Sequence, residues 1–246
     1  MTGNLASSPV PAYAQRMRWI LSPRFLGWLL CLVLSPAVAR AATKVHVISF
    51  GQWMSAQWLP RSTGDTKPLT LKVRALLVDG RVREYVIGSP HEVTDRLFVV
   101  RRAFRVNDSL PEEPGPHWLW QRGGWLLLDR TTGRVSPINL PEFDALYSVA
   151  SWYRDYAAYC GVSDDGKKIS AMVVQLGRRR PVLNKPLSND GVPDDAAPDS
   201  ACPAPSWQRS PVRLSFEPAG GAKQTFAIRG HVVDAVNEEE EEEPSK

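Results

Sequence analysis

The stretch 124–141, GWLLLDRTTGRVSPINLP, limits what this chain can become more than any other segment. Trp125, Leu126, Leu127 and Leu128 read as an apolar strand. Asp129 to Gly133 is a polar turn, and 134–140 reads as the strand that returns. A chain made of such units buries its apolar surface by pairing short strands, which points to an all-β protein.

The pattern recurs. In 69–88 the segment LTLKVRALLV alternates in its first half and becomes fully apolar near its end. Asp79-Gly80 then supplies the two-residue pair that tolerates positive φ, and 81–87 runs back as the second arm of a hairpin. LLVDGRVREYVI (76–87) matches LLLDRTTGRVSPI (126–138), and Pro90, Asp95, Leu97, Phe98 and Val100 parallel Pro141, Asp144, Leu146, Tyr147 and Val149. The offset is 49 to 53 residues throughout. A third copy at 172–187 keeps the strand, Gly177-Arg178 and a proline-terminated return, at an offset of about 44. A fourth, 213–228, keeps only the hairpin.

Most of the remaining chain also reads as strand. The predicted strands are 44–50, 52–59, 96–106, 117–121, 125–129, 145–152, 156–162, 169–176, 179–184, 209–216 and 224–233. Arg122-Gly123-Gly124 is read as a divider between two of them. Segments 61–68 and 107–116 are polar loops, and Pro186 is expected to close the strand at 179–184. The Pro/Asp-rich stretch 186–205 reads as an irregular linker. The expected organisation is a single all-β domain over 42–236, followed by an acidic, solvated tail at 237–246.

Residues 1–41 carry four arginines and no acid, and the remainder of the chain balances 26 basic against 26 acidic groups. Nucleic-acid binders concentrate positive charge on one face, and these arginines are scattered, so a nucleic-acid partner is not expected. The apolar run 25–34, Pro36 after it and Ala39-Arg40-Ala41 read as a cleaved signal peptide spanning 1–41, with Met17 as an alternative start. The run is short for a spanning helix, so a membrane role is expected only if the segment stays uncleaved as an anchor. Export leaves two cysteines, Cys160 and Cys202. In an oxidising periplasmic or extracellular compartment they are expected to form one disulfide; two free thiols are the alternative.

A period of about 45–50 residues built from antiparallel strands is the layout of a propeller blade. Together with Ser163-Asp164-Asp165-Gly166-Lys167-Lys168-Ile169, it resembles the WD40-like blades of TolB-type β-propellers, which carry a Ser-x-Asp-Gly-Lys-x-Ile turn. The resemblance covers roughly residues 69–187 and implies a small β-propeller-like array. No Trp-Asp dipeptide ends a strand, and the first and last copies are incomplete. A two-sheet β-sandwich built from the same hairpins stays open beside it.

The chemistry-bearing residues point to binding rather than catalysis. His46, His91, His117 and His231 stand at no metal spacing, and no cofactor or metal set is expected. Gly161-Val162-Ser163 lacks the second glycine of a nucleophile elbow. Asp164, Asp165, Asp190, Asp194, Asp195 and Asp199 offer oxygens suited to calcium without the EF-hand order. Trp118 and Trp120 share one face of a strand, and Trp152-Tyr153 occupies the equivalent neighbourhood one copy later. These four form a possible ligand surface for a sugar ring or a peptide; alternatively they fill space between sheets. The expected function is an exported, non-catalytic binding or protein-interaction module with a protein or carbohydrate ligand. The alternative is a secreted hydrolase or lyase using Asp129, Asp144 or Asp155.

Overall fold

The computed structural model describes residues 45–58, 68–112, 114–188, 191–192, 197–218, 221–229 and 232–236. The expected signal segment 1–41 and acidic tail 237–246 lie outside the described residues. Among the described residues the chain is all-β, with fifteen strands in three sheets.

The first sheet contains β1 (Ile48–Phe50), β2 (Met54–Trp58), β3 (Leu69–Val78), β4 (Arg81–Glu92), β5 (Leu97–Asn107), β6 (Trp118–Asp129) and β7 (Arg134–Ile138). Neighbours β2 to β6 pair antiparallel in chain order, and β6 meets β2 again in parallel through Trp58 and Trp120. A meander with an odd number of strands can only close with a parallel pair, so these five form a ring. β1 continues the line of β2 along the far half of β3, and β7 pairs with the far half of β6.

Both faces of this sheet are covered, at different heights. The ring interior holds Ala56, Trp58, Leu71, Val73, Ile87 and Ala103, with Tyr85, Trp120 and Leu146 packed against them. The opposite face, towards the other strand ends, buries Leu76, Val86, Phe98, Val100, Leu126 and Leu128 beneath Ile48, Phe50 and Val135. This explains why β3 alternates first and then turns wholly apolar: its buried residues switch face from Leu71 and Val73 to Leu76 and Val78.

The second and third sheets are four-stranded meanders. One consists of β8 (Ser151–Tyr153), β9 (Tyr156–Val162), β10 (Ile169–Gln175) and β11 (Leu183–Ser188); the other of β12 (Ser206–Arg209), β13 (Val212–Phe216), β14 (Gln224–Arg229) and β15 (Val232–Val236). The second sheet lies between the other two. Ala157, Tyr159, Met172 and Val174 pack against Trp125 and Ile138 of the first sheet. Ala158, Cys160, Val162, Ala171 and Val173 pack against Leu214, Phe216 and Phe226 of the third. A strand covered on both faces needs a nearly continuous apolar run, which YAAYCGV and the centre of ISAMVVQ supply. Each fully buried side chain such as Leu214 or Phe216 stabilises the fold by about 1.5–3 kcal/mol relative to exposure.

Cys160 on β9 and Cys202 form a disulfide with Cα atoms 6.2 Å apart. Both are buried between the second and third sheets, so the bond ties the segment leading into β12 to the core.

All four repeated hairpins are present, as β3–β4, β6–β7, β10–β11 and β13–β14. Asp79 and Gly80 both have positive φ, 52° and 75°, as a two-residue turn matched to the strand twist requires. The first two copies nevertheless share one sheet, whereas the third and fourth lie in sheets of their own.

Several local expectations are corrected. Residues 117–121 and 125–129 are one strand, β6, because Gly123-Gly124 is a bulge rather than a turn. Arg101 pairs with Trp125 and Ala103 with Arg122, so three steps on β6 oppose two on β5. A Cβ on Gly123 would stand 3.2 Å from the Arg102 Cβ and 3.3 Å from the Phe104 ring, which is why the bulge takes glycine.

The expected strand 145–152 is mostly turn. Asp144 Oδ1 accepts the N–H groups of Leu146 at 2.6 Å and Tyr147 at 3.0 Å, and the Asp144 carbonyl accepts from Ser148 N–H at 2.8 Å. These bonds satisfy the backbone locally and leave only β8 to pair. Pro186 does not end its strand: β11 lies further along than 179–184 and contains it, on a sheet edge where a missing N–H is harmless. Ala201 and Cys202, inside the expected linker 186–205, are core residues. β12 was not anticipated, and 224–233 divides into β14 and β15.

Candidate functional site

Alternation along β6 puts Trp118, Trp120 and Arg122 on one face, each about 6.6–6.8 Å from the next. On the paired strand Asn107, Arg105 and Ala103 stand opposite them in that order. The Arg105 guanidinium therefore lies over both indoles, 5.6 Å from the Trp118 ring and 5.5 Å from the Trp120 ring. Trp120 is steadied by an edge-to-face contact with Tyr85 at 5.1 Å.

Deeper in the ring, Arg122 lies 4.0 Å over Trp58. It donates to Asp199 Oδ2 and to the Leu146 carbonyl, both at 2.8 Å. Arg101 donates to the Gly123 carbonyl at 3.3 Å and the Ala145 carbonyl at 2.7 Å. The result is a ladder of arginines and tryptophans that runs from solvent into the protein. Trp118 is 53% exposed at the outer end, and Arg101 is 9% exposed at the inner one.

Near the three guanidiniums of the ladder stand two carboxylates, Asp199 and Asp144. Burial, followed by the nearby charge of Arg122, pushes the Arg101 pKa down to about 10, with Asp199 and Asp144 acting in the opposite sense. Arg122 Nε, Asp199 Oδ1 and Ser200 Oγ are buried without a hydrogen-bond partner among the described residues. Among those residues no carboxylate neutralises Arg105, whose contacts are the two indoles.

Of the four aromatic residues singled out from the sequence, Trp118 and Trp120 come together here. Trp152 and Tyr153 do not join them as one surface. As neighbours on β8 they point to opposite faces of the second sheet. Trp152 stacks on His91 at 6.0 Å and meets Trp125 edge-on at 5.3 Å, while Tyr153 lies 5.3 Å from Trp207 in the third sheet.

The arginines were missed because nothing local marks them. Their signal is the alternation Arg101, Ala103, Arg105 on one strand set against Trp118, Trp120, Arg122 on another. It becomes legible only when the two strands are paired.

The candidate catalytic acids are occupied in separate places. Asp155 accepts from Gln175 Nε2 at 2.8 Å, and Asp144 caps the turn already described. Asp165 accepts from Ser163 Oγ at 2.6 Å and Lys167 N–H at 3.1 Å, closing the Asp-Gly turn between β9 and β10. Among the described residues no three His, Cys, Asp or Glu side chains are grouped to hold a metal ion. Asp190, Asp194 and Asp195 lie outside the described residues.

Asp129 accepts from Nε and Nη2 of Arg96 and from Thr131 N–H at 2.8 Å. The Arg96 hydrogen bond holds its carboxyl well below the usual carboxylate range. Because the folded value lies below the unfolded one, this stabilisation is complete above about pH 4 and is lost as pH falls towards the folded value. Asp129→Asn is thus expected to melt below wild type at pH 7, with the difference shrinking by pH 3 in parallel thermal melts.

These features define an all-β protein with a buried disulfide, a pairing that suits an oxidising compartment, and an arginine–tryptophan ladder that opens to solvent. Comparisons with protein families, with curated proteins and with solved structures find no match to this chain.

Proposed function

We propose that this chain is an exported, non-catalytic binding or protein-interaction module of a bacterial-type cell envelope or secreted fraction. It takes its protein or carbohydrate ligand at the outer end of the arginine–tryptophan ladder. The observation that carries this reading is Trp118, half exposed on β6 with an arginine near its ring that no carboxylate neutralises among the described residues. An exposed indole beside a cation presents an apolar plane and a charged edge to a ligand, and the paired strands hold both in place without one.

Export is supported by the arginine-led apolar segment in 1–41 and by the Cys160–Cys202 bond, since disulfides persist where glutathione does not keep thiols reduced. The WD40-like resemblance fits this setting as a small propeller-like array. The strand–turn–strand copies and the two four-stranded meanders support it. The packing of those two meanders face to face supports the sandwich reading equally.

The test has two parts. Cells expressing the full chain are fractionated, and the protein is trapped with a thiol reagent before mass spectrometry. Recovery outside the cytoplasm with Cys160 and Cys202 oxidised is expected; reduced thiols in a cytoplasmic pool would overturn the export reading. Wild type and Trp118→Ala are then compared on arrays of glycans and peptides. Trp118-dependent binding to any member is expected, and identical profiles would overturn the site.

A further inference from the structure

We infer that the ligand of this site is an acidic saccharide, with one sugar ring stacked on the Trp118 indole and its ring carboxylate on the Arg105 guanidinium. The inference rests on the binding reading above and specifies its ligand class.

Charge is the first argument. The three guanidiniums outnumber the two carboxylates near them, Asp199 and Asp144, both at the inner end, and Arg105 at the solvent end has no acidic partner among the described residues. A guanidinium whose planar face lies on aromatic rings still presents its N–H fork along the edge, the direction from which a carboxylate is gripped in two places. The Arg105 guanidinium already stands 5.6 Å from the Trp118 ring and 5.5 Å from the Trp120 ring before any ligand arrives.

Shape is the second argument. Trp118 is 53% exposed, and a pyranose ring has a flat C–H face that covers an exposed indole. The indoles of Trp118 and Trp120 follow each other at about 6.6–6.8 Å along β6. One sugar on Trp118 therefore brings a ring substituent over the guanidinium between them.

Strand pairing separates this ligand from an acidic peptide. An extended peptide gains affinity by adding a strand to an open sheet edge. Here the outer end of β6 pairs with β5 along Trp118–Gln121, and β2 meets it from the other side at Trp120. A saccharide uses the side-chain face and needs no free edge.

The test uses the oxidised full-length protein and tetragalacturonate as the probe, titrated by calorimetry and by intrinsic tryptophan fluorescence at low salt. Its methyl ester, which keeps the rings and loses the charges, is the first control, and tetraglutamate is the second. The expected result is saturable binding of the uronate, with the ester weaker by about tenfold or more. Arg105→Gln should abolish the preference for acid over ester, whereas Trp118→Ala should weaken both sugars. Trp118→Phe should retain part of the binding. Both positions are exposed, so thermal melts of the variants should match wild type.

Equal affinity for the ester, tetraglutamate binding as tightly as the uronate, or no saturable uronate binding would each overturn the acidic-saccharide inference. If the arrays still show Trp118-dependent binding to another ligand, the binding reading survives that failure. Loss of Trp118 dependence throughout would remove both.

Discussion

Replacing Cys160 and Cys202 together by alanine is expected to lower the unfolding free energy by about 4 kcal/mol. The two residues are 42 apart in sequence, and the bond between them restricts the unfolded chain far more than the folded one. Both sulfurs lie in the core between the second and third sheets, so alanine leaves only a small void. The chain-entropy contribution should therefore dominate. Urea denaturation measures it: the midpoint falls, and the slope with denaturant rises because the unlinked chain exposes more surface on unfolding. Reduction of wild type by dithiothreitol under denaturing conditions should give the same midpoint on refolding. An unchanged midpoint in the double variant would show that the bond does not constrain this fold.

The second large effect is expected at Arg122. Its side chain is 8% exposed, and it binds Asp199 and the Leu146 carbonyl while covering the Trp58 ring. Breaking a buried ion pair by removing one partner costs about 3–5 kcal/mol, because the remaining charge stays uncompensated. Asp199 is 39% exposed on its side chain, so water re-solvates part of it. Arg122→Met is accordingly placed at about 2–3 kcal/mol, below the full buried-pair range. Asp199→Asn should cost less, since the amide still accepts from Arg122. Urea midpoints of both single variants and of the double variant measure the coupling between the two residues. Additivity would mean that the pair does not act as a unit. Arg105→Gln, at the exposed end of the same ladder, is expected to stay within about 0.5 kcal/mol of wild type. The inner rungs thus hold the first sheet to the segment around Asp199.

What could be read without coordinates was what depends on near neighbours in the chain. Period-two alternation at 69–73 reflects the pleat of one strand, and the Asp79-Gly80 turn reflects the positive φ that those two residues tolerate. The same logic explains Asp129, which recurs at the Asp79 position as a strand-ending turn residue and is engaged by Arg96 and Thr131. Two cysteines in a chain with a signal-like start were enough to anticipate the bond between Cys160 and Cys202. The limits of local reading show at Gly123-Gly124, where a bulge and a turn call for the same residue, and the choice falls to the strand alongside. They show again at 145–152, where β-prone residues are drawn into a turn by the side chain of Asp144.

The stretch 124–141, its recurring copies and the strand patterns along the rest of the chain were enough to read this protein as all-β and hairpin-built, because strand length, turn chemistry and alternation are set by residues a few positions apart. Only the tertiary structure decided the rest. It put two copies of the hairpin in one sheet, packed Trp152 on His91 and Tyr153 on Trp207, and brought Arg105 within reach of both Trp118 and Trp120. Each of those outcomes depends on which strands pair and in what register, and the bonds that settle it join residues far apart in the chain.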